Sequence, residues 1–171
     1  IPNADGEGTL SCEWRVRMSV VSSTDGNTFV GFTDTQEDTL TENPFTISGT
    51  TVTASANPDD AIGFVFHGGA TNASWYPVSQ NSDTLTIDGV TNMAAVDRTP
   101  PVTATWQTLR MDIHNSAKVV EFYVDGVQIY RYEGSQAIDD VALTPVWVNL
   151  EGTDASNVDL DYVYVEATRL A

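Results

Sequence analysis

Residues 105–132 constrain the fold of this chain more than any other stretch, because they form three short alternating runs. The last two runs are joined by the dipeptide Asp125-Gly126. Asp-Gly between alternating apolar runs is a strong hairpin signal, since a two-residue type I′ turn needs a positive φ at both residues. With that turn Phe122 is predicted to face Ile129. The stretch therefore predicts a three-stranded antiparallel meander.

The predicted register divides the hairpin into an apolar face and a polar, aromatic face. The apolar face is predicted to hold Val120, Phe122, Val124, Val127 and Ile129. The opposite face is predicted to hold Glu121, Tyr123, Gln128, Tyr130 and Tyr132. The first face packs in the core, and the three tyrosines form an outward aromatic patch that could contact a partner.

Length and composition indicate one folded domain. A chain of 171 residues with 41% apolar residues can bury roughly 70% of its unfolded surface. We predict a single domain over residues 12–171, preceded by an N-terminal arm or edge strand over residues 1–11. No apolar run approaches the ~20 residues of a membrane span, so no membrane partner is expected.

The charge balance excludes one class of partner. The chain has 24 acidic and 7 basic residues, a formal net charge of −17, and its single lysine is Lys118. Such a surface repels phosphate backbones, so no nucleic-acid partner is expected. High net charge also favours solubility, and dense carboxylates suit a salty environment or the binding of hard cations such as Ca²⁺.

The pattern of the remaining sequence predicts an all-β protein. Short alternating runs recur at about 10-residue spacing, and no pattern predicts a helix of ten residues or more. Cys12 is the only cysteine and shares an alternating face with Trp14 and Val16. It is therefore predicted to be a small buried hydrophobe rather than a nucleophile. We expect ten to twelve strands in a sandwich of two sheets.

The order of motifs in the second half resembles a known superfamily. Trp106 starts a strand, LRMDI follows at 109–113, VEFYVDG at 120–126, and DYVYV closes the chain at 161–165. This order resembles the concanavalin A-like lectin/glucanase superfamily, including laminin-G-type modules. The resemblance implies a jelly-roll sandwich of two curved antiparallel sheets. Residues 61–79 are similar to such modules in structural proteins of tailed bacteriophages.

Catalytic residues are not expected. Glucanases of the resembled superfamily carry three acids in an E-x-D-x-(x)-E pattern on one face of a strand, at the separation that a retaining mechanism requires. The nearest acidic strand here holds Asp159 and Asp161 on one face, but Glu166 has the opposite parity. His67 and His114 lie beside no nucleophile elbow. We therefore predict that the protein is not an enzyme.

A structural calcium ion is the one cofactor that the resemblance implies, and none is required otherwise. In the resembled glucanases an Asp at the start of the terminal D-Y-V strand helps to hold calcium, and Asp161 occupies that position. Asp159 lies two residues away on the same face. Two adjacent carboxylates repel unless a cation or hydrogen-bond donors stand between them, so donors are the alternative.

Aromatic residues are the candidates for binding a glycan or a partner. Trp75 and Tyr76 follow the strand break at Gly68-Gly69, and Trp147 is predicted to point outward beside Asn149. Tyr123, Tyr130 and Tyr132 complete this set of aromatic residues. They either stack on sugars or line a second protein layer or a subunit contact.

These observations lead to two hypotheses. The first is a non-enzymatic virion protein of a tailed phage, either a capsid decoration or a fibre or spike module. It would lie on the virion surface, bind phage capsid or tail proteins and form a homo-oligomer, with a trimer as one option. The alternative is a carbohydrate-binding, lectin-like module that is secreted or extracellular.

Overall fold

A computed structural model describes residues 8–19, 21, 27–34, 43–68, 73–114, 117–139, 142–150 and 157–168. Strands dominate this part of the chain, and its longest helix, α1 (Gly89–Asn92), is far too short to cross a membrane. A 3₁₀ turn follows α1 at Ala95–Asp97. The strands are β1 (Thr9–Met18), β2 (Asn27–Thr33), β3 (Phe45–Ser48), β4 (Thr51–Ala54), β5 (Ala61–His67), β6 (Tyr76–Asn81), β7 (Thr84–Asp88), β8 (Trp106–His114), β9 (Val119–Val124), β10 (Val127–Glu133), β11 (Thr144–Leu150) and β12 (Val158–Ala167).

Two five-stranded antiparallel sheets form a sandwich. The first sheet has the strand order β10-β9-β8-β1-β12, and the second has the order β11-β2-β5-β6-β7. The predicted all-β, jelly-roll sandwich is therefore confirmed. The meander of β8, β9 and β10 that the sequence predicts is also confirmed, and it forms one half of the first sheet.

Aromatic contacts between the sheets define how they are stacked. Trp14 of β1 meets Phe32 of β2 edge to face, with ring centroids 5.3 Å apart. Phe122 of β9 meets Phe64 of β5 in the same way at 5.4 Å. Because β1 lies over β2 and β9 lies over β5, the edge strands β12 and β11 lie at the same open end of the sandwich.

Cys12 lies in this core, as predicted. Its side chain is fully buried, and burial raises the pKa of its thiol to about 12, with the nearby Asp112 carboxylate adding to the shift. A thiol with so high a pKa carries almost no thiolate at neutral pH and is a poor nucleophile.

The hairpin of β3 and β4 adds a third layer over the second sheet. Its residues alternate, with Phe45, Ile47 and Val52 buried and the threonines at 46, 51 and 53 exposed. Phe45 packs against Phe29 of β2, whose side chain points away from the first sheet, at a ring-centroid distance of 5.5 Å. The chain therefore covers part of the outer face of the second sheet with its own hairpin.

The described end of the N-terminal segment, residues 9–11, differs from the predicted arm or edge strand. Strand β1 begins at Thr9 and pairs with β8 on one side and β12 on the other. Its first three residues are therefore internal to the sheet and do not form an edge strand. Residues 1–7 of the predicted arm lie outside the described residues.

The predicted register of the second hairpin is wrong beyond Gln128. The turn itself is as expected, with φ of 51° at Asp125 and 78° at Gly126. A β-bulge between Gln128 and Tyr130 then shifts the pairing, so that Tyr130 faces Phe122 rather than lying on the opposite side. A bulge places two residues opposite one, which reverses the alternation of every residue after it.

The side that Trp147 faces also differs from the prediction. Trp147 pairs with Val30, and Val30 lies on the same face of β2 as the core residue Phe32. Trp147 therefore lies on the face that looks toward the first sheet, and it is still 51% exposed. Its exposure follows from the position of β11 at the open edge of the sandwich.

Candidate functional site

The outer face of the first sheet carries many polar and aromatic side chains. Alternation along β1 explains this, because Cys12, Trp14, Val16 and Met18 are buried while the residues between them are half-exposed. The side chains on this outer face include Glu13, Arg15, Arg17, Trp106, Arg110, Asp112, His114, Glu121, Tyr123, Arg131, Asp159, Asp161, Tyr162, Tyr164 and Glu166. Glu166 shares this face with Asp159, contrary to the predicted opposite parity, because a bulge between β1 and β12 at Arg15 and Val16 shifts the alternation.

Asp159 and Asp161 each have an arginine partner from the neighbouring strand. Arg17 donates two hydrogen bonds to Asp159 Oδ2, at 3.0 and 2.6 Å. Arg15 donates one to Asp161 Oδ2 at 2.7 Å. The guanidinium groups thus supply the positive charge that the predicted calcium ion was expected to supply. Calcium at these residues stays a prediction, and the arginine pairing argues against it.

Trp106 is covered by the same two arginines. The guanidinium carbons of Arg15 and Arg17 lie 5.3 and 4.9 Å from its ring centroid, within cation–π range. The arginines therefore hold carboxylates and indole together in one stack. This arrangement leaves the Trp106 ring poorly placed to stack on an external ligand.

A second polar group lies on β8 and β9. Single ligand atoms of Asp112, His114 and Glu121 all lie within 4.8 Å of one another, a spacing that could hold a metal ion. Thr9 Oγ1 lies 3.0 Å from His114 Nδ1, and His114 Nε2 lies 3.4 Å from Glu121 Oε2. Two carboxylates and an imidazole suit a transition metal such as zinc better than calcium.

Both carboxylates of this group already have protein donors. Arg110 donates to the two oxygens of Asp112 at 3.0 and 2.7 Å. Glu121 accepts from Tyr123, Gln128 and Arg131 at 3.0–3.1 Å. A metal ion would therefore compete with arginine groups that already hold both carboxylates.

The pKa of Glu121 reflects these donors. Burial raises the pKa of its carboxyl, but the hydrogen bonds from Tyr123 and Gln128 and the nearby His114 outweigh burial and hold it below its ordinary value of 4.5. A group whose pKa is lower in the folded state adds stability above its unfolded pKa and loses that stability as the pH falls through the folded pKa.

We therefore expect Glu121→Gln to lower the free energy of unfolding by about 1 to 2 kcal/mol at neutral pH. The difference from the parent protein should shrink as the pH falls below 4.5, the ordinary value for this carboxyl. Urea unfolding at a series of pH values measures it. Glu133→Gln, which removes an exposed carboxylate one strand away, is the control and should change stability by less than about 0.5 kcal/mol. A cost for Glu121→Gln that is the same at every pH would contradict the role given to its ionised form.

Trp75 and Tyr76 do not lie on an accessible surface, contrary to the prediction. They are 0% and 1% exposed, and Trp75 Nε1 donates to Gln107 Oε1 at 3.2 Å. The Trp75 ring packs against Phe66 with ring centroids 5.8 Å apart. These two residues belong to the core and cannot stack on a sugar in this structure. Tryptophan and tyrosine occur both in cores and on exposed binding surfaces, so the sequence pattern alone did not distinguish these two locations.

The three hairpin tyrosines do not form one patch. Tyr123 lies on the outer face with Arg110 5.5 Å from its ring centroid. The bulge turns Tyr130 toward Phe122 at 6.3 Å between ring centroids, and Tyr132 lies within hydrogen-bond distance of Ser135. Tyr130 and Tyr132 are therefore half-buried supports of the core. Only Tyr123 stays on the polar face to which all three were predicted to belong.

The exposed aromatic side chains lie instead on the two edge strands, β11 and β12, at the open end of the sandwich. In the described ranges, the large aromatics that are more than one-third exposed are Trp147 of β11 at 51%, and Tyr162 and Tyr164 of β12 at 39% and 53%. Tyr162 and Tyr164 pair with Arg15 and Glu13 of β1 and so share the outer face of the first sheet. Their alternation in the run YVYV is the sequence signal for this exposed pair, and the same run also carries the resemblance in fold.

Both exposed tyrosines are held by carboxylates. Tyr162 donates its hydroxyl hydrogen to Glu13 Oε1 at 2.5 Å, and Tyr164 donates to Glu166 Oε2 at 3.1 Å. These hydrogen bonds raise the pKa of both phenols, so the hydroxyls stay protonated at neutral pH. We call these two residues the tyrosine pair.

The chain is similar to known proteins in structure, although its sequence matches no protein-family model and no curated protein. The carbohydrate recognition domain of Emp46p in its potassium-bound form is similar at a TM-score of 0.59 and 12% identity, over 92% of this chain and 70% of that one. The alginate lyase AlyC3 in complex with dimannuronate is similar at 0.52 and 10% identity, over 96% and 65%.

A weaker likeness, at a TM-score of 0.49 and 8% identity, links the chain to the carbohydrate-binding module CBM66 from Bacillus subtilis, over 94% of this chain and 76% of that one. Identities this low establish the fold alone. The strand order and the likeness to the Emp46p domain confirm the jelly-roll architecture predicted from the motif order, and the chain has a concanavalin A-like, lectin-type β-sandwich fold.

Proposed function

We propose that this protein is a carbohydrate-binding domain that uses the tyrosine pair on β12 as its platform. The observation that carries the proposal is the placement of two exposed, anchored aromatic rings side by side at the edge of a polar sheet face. Residues two apart on a strand lie about 6 to 7 Å apart, so neighbouring rings present one continuous surface.

The anchored hydroxyls favour binding because they reduce the side-chain entropy that is lost when a ligand binds. Each tyrosine already has its hydroxyl bonded to a carboxylate, so less rotational freedom is lost when a ligand stacks on the ring. Glu13, Glu166 and Arg15 surround the pair and offer both acceptors and donors. Sugar hydroxyls need such mixed partners beside an aromatic face.

The comparisons support this proposal at the level of the fold. The similar Emp46p structure is named as a carbohydrate recognition domain, and the similar AlyC3 structure holds dimannuronate. AlyC3 is an enzyme, so the fold accommodates catalysis in another protein. Our prediction that this chain is not an enzyme therefore stays a prediction. The virion role predicted from the sequence also stays a prediction, since no observation on the described residues favours it.

Affinity electrophoresis through gels that contain single polysaccharides tests the proposed platform. We expect at least one polysaccharide to retard the parent protein. Tyr164→Ala and Tyr162→Ala should each weaken that binding by about 2 kcal/mol, which is roughly 30-fold in Kd. Trp147→Ala removes an equally exposed aromatic on the neighbouring edge strand and serves as the matched control.

Two results would reject the platform. Unchanged retardation in both tyrosine variants would show that the pair does not contact the ligand. Loss of retardation in Trp147→Ala alone would move the site to the open edge between the sheets. Circular dichroism of each variant separates a loss of binding from a loss of folding.

A further inference from the structure

The charges around the tyrosine pair indicate which class of glycan it can accept, an inference that rests on the proposed function. The two strands that build this part of the sheet face are β1 and β12. Their outward side chains include four carboxylates, Glu13, Asp159, Asp161 and Glu166, and two guanidinium groups, Arg15 and Arg17. The platform therefore has an excess of negative charge before any ligand arrives.

Neither arginine of the platform is available to neutralise an anionic ligand. Arg15 is paired with Asp161 at 2.7 Å and Arg17 with Asp159 at 2.6 Å, and both stack over Trp106. An arginine that already holds one carboxylate can still donate its remaining N–H groups to hydroxyl oxygens. Its positive charge, however, is already compensated by the first carboxylate. Sugar hydroxyls suit these remaining donors, and a second carboxylate does not.

The other arginines of the same sheet face follow the same rule. Arg110 is bonded to both oxygens of Asp112, and Arg131 contacts both Glu121 and Glu133. Within the described ranges, every arginine on this face thus has a carboxylate partner. The whole chain has a formal net charge of −17, so its overall charge has the same sign as this local excess. A uronate polymer approaching the face would meet repulsion at long range, and the described arginines that it contacts there already hold carboxylates.

We infer that the tyrosine pair binds neutral polysaccharides and discriminates against polysaccharides whose sugars carry carboxylates. Neutral chains can stack on both rings and exchange hydrogen bonds with Glu13, Glu166 and Arg15 without any charge penalty. This selectivity is a property of the side chains around the pair and does not follow from the fold, since the similar AlyC3 structure holds the uronate dimannuronate.

Matched polymers that differ only in charge test the inference. Suitable pairs are β-1,4-mannan with polymannuronate, soluble cellulose fragments with their 6-carboxyl derivative, and methyl-esterified with free polygalacturonate. Binding is measured by affinity electrophoresis at low and at high salt. In any pair whose neutral member binds, we expect the uronate member to bind at least tenfold more weakly at low salt, and the gap to narrow at high salt because salt screens the repulsion.

A charge-removing variant tests the cause of the selectivity. Glu166→Gln keeps an acceptor for the Tyr164 hydroxyl but removes one negative charge beside it, and should reduce the discrimination severalfold. Asp97→Asn, in the 3₁₀ turn, makes the same change in net charge at a different element of the chain and should leave the discrimination unchanged.

The outcomes separate the inference from the proposed function. Equal or tighter binding of a uronate member, lost in Tyr164→Ala, would overturn the neutral selectivity and leave the tyrosine platform standing. Equal effects of Glu166→Gln and Asp97→Asn would show that net charge alone, and not this surface, sets the selectivity. Failure of every polymer to bind would reject the proposed function and the inference with it.

Discussion

A Gly63→Ala substitution is expected to lower the free energy of unfolding by about 3 kcal/mol or more, at the upper end of the cost of overpacking. Gly63 of β5 and Gly31 of β2 face each other in the middle of the second sheet. A Cβ at Gly63 would collide with the Val30 carbonyl oxygen and lie 2.6 Å from the Gly31 Cα. Both atoms are backbone, so neither can move without breaking the pairing of the two strands.

Thermal unfolding measures the effect, and a fall in Tm of roughly 6 to 12 °C is expected for a chain of this size. Gly126→Ala is the matched control. Its φ of 78° is unfavourable for alanine, but no atom lies within 4 Å of the added Cβ, so a cost of about 1 kcal/mol is expected from backbone strain alone. A Gly63→Ala protein as stable as Gly126→Ala would contradict the close approach of β2 and β5.

Phe45→Ala is expected to cost about 3 to 5 kcal/mol, the usual range for truncating a fully buried phenylalanine. Phe45 is 0% exposed and joins the β3–β4 hairpin to the second sheet through Phe29. Without this ring the hairpin loses its largest apolar contact, and the face of β2 beneath it becomes accessible.

Two readouts distinguish detachment of the hairpin from general destabilisation. Urea unfolding gives the loss of stability, and binding of a hydrophobic dye under native conditions reports newly exposed apolar surface. Thr46→Ala, at the neighbouring exposed position of β3, should change neither by a measurable amount. Equal dye binding by Phe45→Ala and the parent protein would argue that the hairpin is not a covering layer.

The fold could be predicted from the sequence because its strongest signals are local. Asp125-Gly126 specifies a tight turn through its backbone preferences, and alternation along β1 and β9 specifies which side chains enter the core. Neither signal needs knowledge of distant residues. The spacing of such signals along the chain was sufficient to indicate an all-β sandwich, and the resemblance of the motif order to a known superfamily implied a jelly roll.

Predictions of which face a side chain occupies were less successful where they assumed strict alternation along a whole strand. The bulge at Gln128–Tyr130 reversed the faces of Tyr130 and Tyr132, since one extra residue is invisible in a period of two. The exposure of Trp147 was correctly expected, but for the wrong reason. It comes from the place of β11 at a sheet edge, and strand order across a sheet is a long-range property that alternation does not encode.

The site residues were the hardest to predict because they are defined by contacts across strands. The pairing of Arg15 and Arg17 with acids near the opposite end of the chain depends on β1 lying beside β12. The grouping of Asp112, His114 and Glu121 depends likewise on the register of β8 against β9. Trp75 and Tyr76 failed as candidates because burial depends on the layers above and below a strand.

Mapping of bound ligand by NMR tests the central claim most directly. Backbone amide shifts would be followed while the best-binding neutral oligosaccharide is added to the isotopically labelled protein. The account predicts that the largest changes fall on Tyr162 and Tyr164 of β12 and on Glu13 and Arg15 of β1. Changes confined to the β3–β4 hairpin or to the surroundings of Trp147, with the tyrosine pair unaffected, would contradict it.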